Sequence, residues 1–130
     1  MTFPFMQGRN KASTEENRLF VWGENDASAG PAGALGLGDT NNRSSPIQVG
    51  SDTDWAHIKS GFLISIGLKT DGTLWTWGNN QLGILGDGTT LDKSSPIQVG
   101  SLTDWYSSES SGNPLALARR SWAIVKPNGT

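Results

Sequence analysis

The octapeptide Ser44-Ser45-Pro46-Ile47-Gln48-Val49-Gly50-Ser51 occurs a second time, residue for residue, from Ser94 to Ser101. The match continues through Thr53-Asp54-Trp55 onto Thr103-Asp104-Trp105, so that eleven of twelve consecutive positions agree, with Asp52 against Leu102 the exception. A duplication of this period confines the chain to folds that set like units side by side, each too small to bury its own apolar face. Two further blocks repeat. Leu19-Phe20-Val21-Trp22-Gly23 matches Leu74-Trp75-Thr76-Trp77-Gly78 at a shift of 55, and Asp71-Gly72-Thr73 matches Asn128-Gly129-Thr130 at a shift of 57. The drift in shift places insertions at Asp26 to Ala34 and at Ser108 to Arg119. The chain thus divides into an arm at 1–18, a first repeat at 19–73 and a second at 74–130, which is expected to end inside a hairpin.

Within one copy, Ile64, Ile66 and Leu68 alternate with Ser65, Gly67 and Lys69, the period-two pattern of a strand with one buried face. Asp71-Gly72 tolerates positive φ, and Leu74-Trp75-Thr76-Trp77 is a second β-prone run, so a hairpin is predicted over about Ile64 to Trp77. Ile47-Gln48-Val49, entered through Pro46, and Trp55 to Ile58 supply two more short strands. The expectation is an all-β chain of two propeller-type blades, each of four antiparallel strands. With 17 Gly and 6 Trp among 130 residues, burial must lean on a few large rings. Trp22, Trp55, Trp75, Trp77 and Trp105 are accordingly assigned to the core, because they recur at equivalent positions. Two repeats are fewer than the roughly three that a stable stack needs, so either more repeats or neighbouring subunits should complete the array.

The ordered landmarks Trp22-Gly23-Glu24-Asn25 and Trp77-Gly78-Asn79-Asn80, with Leu82-Gly83, Gly86-Asp87-Gly88-Thr89, Ser-Pro-x-x-Val and Asp71-Gly72-Thr73-Leu74-Trp75-x-Trp77-Gly78, resemble the repeat of the regulator of chromosome condensation family. The likeness covers Leu19 to Thr130. It implies four-stranded blades, about seven of which close a ring, so this chain would form part of a propeller or of an oligomeric one. The His common in the family before the Asp-Gly turn is replaced by Ile64, and by Ser121 or Trp122 in the second copy. Nucleotide exchange on a small GTPase, an activity of some members, maps onto no particular residues here. The near-identity of the copies looks more like bacterial or phage repeat proteins of the family.

Ten basic and twelve acidic side chains give a formal charge of -2, which offers no general attraction to nucleic acid or to an anionic membrane. Without cysteine there is no disulfide, thiolate nucleophile or thiolate metal site, and the compartment is left open. His57, the single histidine, has no aligned Ser or carboxylate partner, so a plain strand or loop position outweighs acid–base duty. Asp87, Asp92 and Gly88-Thr89-Thr90 have the oxygen ligands that a hard cation needs but no recognised loop spacing, and turn chemistry accounts for them. Leu35-Gly36-Leu37-Gly38-Asp39 lacks the Lys-Ser/Thr and long helix of a phosphate cradle. Arg119-Arg120 beside Trp122 is a small footprint for nucleic acid, and a solvated loop is expected.

No catalytic, cofactor or metal residues are assigned. The function expected is a non-enzymatic structural or protein–protein interaction module. Its partner would meet the variable loops through Asp26, Ser28, Pro31, Asn113, Arg119 and Arg120, and Phe3, Phe5 and Met6 of the arm would dock on a partner or a neighbouring subunit. The runner-up is an adhesion or decoration component of a virus particle or cell that faces a glycan or receptor. Exchange regulation of a GTPase ranks third.

Overall fold

Eight short strands carry the regular structure of residues 16–28, 33–61, 63–106 and 112–126, which are those described by the computed structural model. They are β1 (Phe20–Gly23), β2 (Arg43–Gln48), β3 (Trp55–Ser60), β4 (Ile64–Lys69), β5 (Leu74–Gly78), β6 (Lys93–Gln98), β7 (Leu115–Leu117) and β8 (Trp122–Ile124). All pair antiparallel with their chain neighbours, in three sheets: β1-β2, β3-β4-β5-β6 and β7-β8. Among the described residues there is no helix.

The expected hairpin forms β4 and β5, with Leu68 opposite Leu74 and Ile64 opposite Gly78. Its turn is closed by Asp71, which accepts from the Thr73 N–H at 3.0 Å, and by Gly72, at φ +87. A Cβ on Gly72 would lie 1.7 Å from the Thr103 carbonyl oxygen, so backbone approach as well as φ requires glycine. That approach serves a bond: the Gly72 carbonyl accepts from the Trp105 N–H at 3.0 Å, tying the turn to the next copy.

The middle sheet is the complete blade, and it straddles the repeat boundary. β3 and β4 belong to residues 19–73 and β5 and β6 to residues 74–130. The flanking sheets are halves of the same object. β1-β2 has the register and irregularity of β5-β6: Val21 faces Ile47 as Thr76 faces Ile97, and Gly23 faces Arg43 as Gly78 faces Lys93. β7-β8 reproduces β3-β4, with Leu115 opposite Ile124 as Ile58 is opposite Gly67.

This arrangement corrects several expectations. β4 is buried on both faces, not one. Ile64, Ile66 and Leu68 join Leu74, Leu85 and Leu115 in a core toward β7-β8. The opposite face meets the first copy: the Ser65 hydroxyl donates to the Ala34 carbonyl, and Gly67 lies so close under Trp55 that a Cβ would meet the ring at 2.4 Å. Covered from both sides, β4 has no solvent face. β2 begins at Arg43 and runs through Pro46, because an edge strand can accommodate a residue without an N–H. The supposed insertion at Ser108 to Arg119 contains β7, whose Leu115 and Leu117 alternate about exposed Ala116 and turn toward the core.

Candidate interaction face and its supporting loops

Loops follow β1 and β5 at the same end of their sheets, and both are held by one asparagine. Asn25 and Asn80 are buried to 1% and 0% exposure. The side-chain oxygen of each accepts from a leucine N–H, Leu35 and Leu85 respectively, at 2.9 Å. Each Nδ2 donates to a carbonyl oxygen, of Asp39 or Thr89, also at 2.9 Å. Each backbone N–H donates to a side-chain oxygen, Asn42 at 2.6 Å or Asp92 at 2.7 Å. A carboxamide with both ends engaged replaces the backbone partners that an irregular buried loop lacks. The Asn is a landmark of the Trp-Gly-x-Asn pattern, but the pattern alone does not give its role as a loop staple. The available signal was its presence in both copies where an insertion begins, since a residue kept at such a point holds what the insertion would disturb.

The first loop is longer. Between Asn25 and Gly33 stand residues 26–32, where the second copy has only Gln81-Leu82 before Gly83, yet Gly33 and Gly83 donate to the Asn25 and Asn80 carbonyls alike. Asp26 accepts from the Ser28 hydroxyl and N–H and from the Asn42 carboxamide, bonds that hold its carboxyl below the usual range. Ser28 is exposed. The β7-β8 turn, with exposed Arg119 and Arg120, lies at the corresponding end, since Leu117 packs on Gly61 of the β3-β4 turn. Lys59, Ser60, Gly61, Leu117, Ala118 and Arg119 line an open groove of about 590 Å³ between the two turns. Topology therefore brings Asp26, Ser28, Arg119 and Arg120 to one end of the array. Asn113 lies at the other end of β7, where its carboxamide donates to Ile58 O and accepts from the Leu115 N–H. Pro31, Phe3, Phe5 and Met6 fall outside the described residues.

The five core tryptophans separate. Trp55 and Trp77 are buried and meet edge to face with centroids 5.8 Å apart. Trp75 and Trp105 are half-buried. Trp22 is 61% exposed and does not belong to the core of this chain. Its counterpart Trp77 is covered by Gly36 in the loop of the preceding copy, where a Cβ would meet the indole nitrogen at 2.7 Å, and among the described residues no such loop lies over Trp22. Lys69 is an unexpected member of the site. Its ammonium lies 4.9 Å from the Trp55 ring centre and 4.4 Å from that of Trp75, and 2.6 Å from Asp52 Oδ2. Lys126 repeats the contact over Trp105 at 5.9 Å, with Asp104 at 2.8 Å.

His57 lies on β3 with its ring 5.7 Å from Tyr106. Asp87 accepts from the Thr89 N–H and hydroxyl and from Asn80, and Asp92 caps the Asn80 N–H, so both carboxylates serve the loop. Among the described residues, no three acidic or His side chains converge as metal ligands.

Stacked antiparallel sheets, a complete four-stranded blade and a repeated loop staple define a β-propeller repeat protein. More narrowly, residues 55–112 carry repeats of the regulator of chromosome condensation (RCC1) type. The family model for that repeat matches residues 71–112, and a second model of the same repeat matches residues 55–84. Among solved structures the chain is similar to human WBSCR16, with a TM-score of 0.65 and 21% identity over 88% of this chain. It spans 27% of that chain's length, and the likeness is one of fold.

Proposed function

We propose that the chain is a non-catalytic module whose blades present variable loops to another protein. The observation that carries this reading is that Asn25 and Asn80 make the same hydrogen bonds although the loops they hold differ in length. A scaffold that tolerates insertion at one point without changing its support leaves that loop free to evolve contacts. Asp26, Ser28, Arg119 and Arg120, with the groove beside Lys59 and Arg119, form the face a partner would meet. It carries both charge signs, which suits a mixed polar protein surface better than a polyanion.

The test exchanges residues 26–32 for Gln81-Leu82, the second copy's version. The shortened chain should keep its β signal and melting temperature while losing the proteins that the parent retains from an extract of its source. Retention of the same proteins by both chains would defeat the assignment.

A second reading is a glycan or receptor contact on a particle or cell surface. It is favoured by the open cleft of about 350 Å³ between β1-β2 and the complete blade, where Trp75 and Trp55 stand with Arg43 and Asp52. Aromatic faces with a polar rim suit sugar rings. Tryptophan fluorescence that does not respond to any member of a glycan panel would remove this reading.

A further inference from the structure

The repeated block that runs from Ser44 to Trp55 and again from Ser94 to Trp105 departs from itself at one position, Asp52 against Leu102. Asp52 lines the cleft between β1-β2 and the complete blade. The scaffold does not require a carboxylate there. Lys126, the counterpart of Lys69, pairs with Asp104 at 2.8 Å and has Leu102 where Lys69 has Asp52. Asp104 corresponds to Asp54, which Lys69 also has at 3.6 Å. We propose, resting on the glycan reading of this cleft, that its ligand is a neutral pyranose sugar and that Asp52 accepts hydrogen bonds from the sugar hydroxyls beside the Trp75 ring.

Charge balance selects a neutral ligand. Arg43 donates to Asp39 Oδ2 at 2.6 Å and to the Asn41 carbonyl at 2.8 Å, and Asp52 Oδ2 takes the Lys69 ammonium at 2.6 Å. A charged sugar would enter between matched pairs and find no counter-charge of its own, whereas a hydroxyl needs only an open lone pair. Asp52 supplies these. A carboxylate has about four lone-pair sites on its two oxygens. The Asp52 side chain is 50% exposed, and its Oδ1 accepts no hydrogen bond among the described residues. The pair with Lys69 holds the carboxylate in place while leaving this second oxygen to a ligand.

The aromatic wall is equally fixed. The Trp75 indole donates to Thr73 Oγ1 at 2.7 Å, the Thr73 hydroxyl donates to Asp71 at 2.6 Å, and the Lys69 ammonium lies 4.4 Å from the Trp75 ring centre. Buried Trp55 meets the same ammonium at 4.9 Å. Gln48 and Ser95 add uncharged donors and acceptors to the lining. A pyranose has an apolar C–H face and a belt of hydroxyls, so it calls for an aromatic ring with hydrogen-bond acceptors next to it. A ring and a carboxylate that are already held lose little freedom when the sugar arrives. The volume of about 350 Å³ falls within the range of small-ligand sites, about 300–1,000 Å³.

The test titrates the tryptophan fluorescence of the 130-residue chain with glucose, galactose and mannose, and with glucuronate and glucosamine as anionic and cationic counterparts. Asp52→Leu installs the residue of the second copy and leaves Asp54 to Lys69, so the fold should be kept, which far-UV circular dichroism verifies. At least one neutral hexose should bind the parent more tightly than either charged sugar does. Asp52→Leu should raise its dissociation constant about tenfold or more, the loss expected for hydrogen bonds to a charged group. Should Asp52→Leu fail to fold, Asp52→Asn, which keeps the shape, takes its place with a smaller rise expected. Tighter binding of a charged sugar, or an unchanged dissociation constant in the folded variant, overturns the proposal and leaves the glycan reading standing. If no sugar of any charge binds, the glycan reading falls and the proposal with it.

Discussion

The side-chain oxygen of Asn80 accepts a hydrogen bond from the Leu85 N–H at 2.9 Å, with both residues at 0% exposure. Replacing the carboxamide with a methyl group would strand that N–H and the Thr89 carbonyl without water to take its place. Leaving buried backbone groups unpaired costs about 1–3 kcal/mol each, so Asn80→Ala should lower stability by about 2–5 kcal/mol. Urea unfolding would check this. A loss below half a kilocalorie would show that the loop finds other partners.

Trp77 fills the space between the complete blade and the loop of the first copy, and its indole N–H has no hydrogen-bond partner among the described residues. Trp77→Ala should therefore cost about 3–5 kcal/mol through lost packing. Trp77→Phe keeps part of the ring volume and loses no hydrogen bond, so its cost should be well under half as large. Equal costs would mean that the indole nitrogen is bonded after all.

The ion pairs around Lys69 should respond asymmetrically. The Lys69 side chain is 7% exposed, whereas those of Asp52 and Asp54 are 50% and 37% exposed. Removing the lysine as Lys69→Met frees two carboxylates that water can solvate, and the methionine stem still lies between Trp55 and Trp75. Removing both carboxylates as Asp52→Asn with Asp54→Asn leaves a buried ammonium between ring faces without its ion pairs, and loss of the partners of a buried charge costs about 3–5 kcal/mol. Thermal melts of the two variants should rank in that order, and the reverse ranking would refute the account.

Acid should loosen the loop and turn together. Burial raises the Asp87 carboxyl, but the Thr89 N–H and hydroxyl, Asn80 and Lys93 outweigh it and hold it below the usual value. Burial likewise opposes, and the Thr73 hydroxyl and N–H with Lys69 overcome, the shift at Asp71. A carboxyl whose folded pKa is depressed contributes stability that is fully present above its unfolded value near 3.8 and is lost as pH falls through the folded pKa. The melting temperature should thus be flat from pH 7 to about 5 and fall below about pH 4. In Asp87→Asn that fall should be shallower, and an unchanged slope would remove Asp87 from the acid response.

Much of the architecture was legible in the sequence because it rests on local chemistry. The identical octapeptide revealed the duplication, Asp71-Gly72 between two apolar runs located the hairpin, and the ordered Trp, Gly and Asn landmarks pointed to the family. Each of these depends on residues within a few positions of one another or on comparison of the chain with itself. The function of Asn25 and Asn80 was less accessible, since a polar residue at a strand end reads as exposed until its burial is known.

The repeat and the β4-β5 hairpin with its Asp71-Gly72 turn follow from local sequence, whereas β7 and the start of β2 do not. Contacts between distant segments set the rest: the blade straddles the repeat boundary, β4 is covered on both faces, and Trp22 is bared where its equivalent Trp77 is sealed. The reason is that equivalent residues in a repeat share their local conformation but not their neighbours. Burial belongs to the sheet or loop stacked against a side chain, and the loop of the first copy that closes over Trp77 has no described counterpart over Trp22.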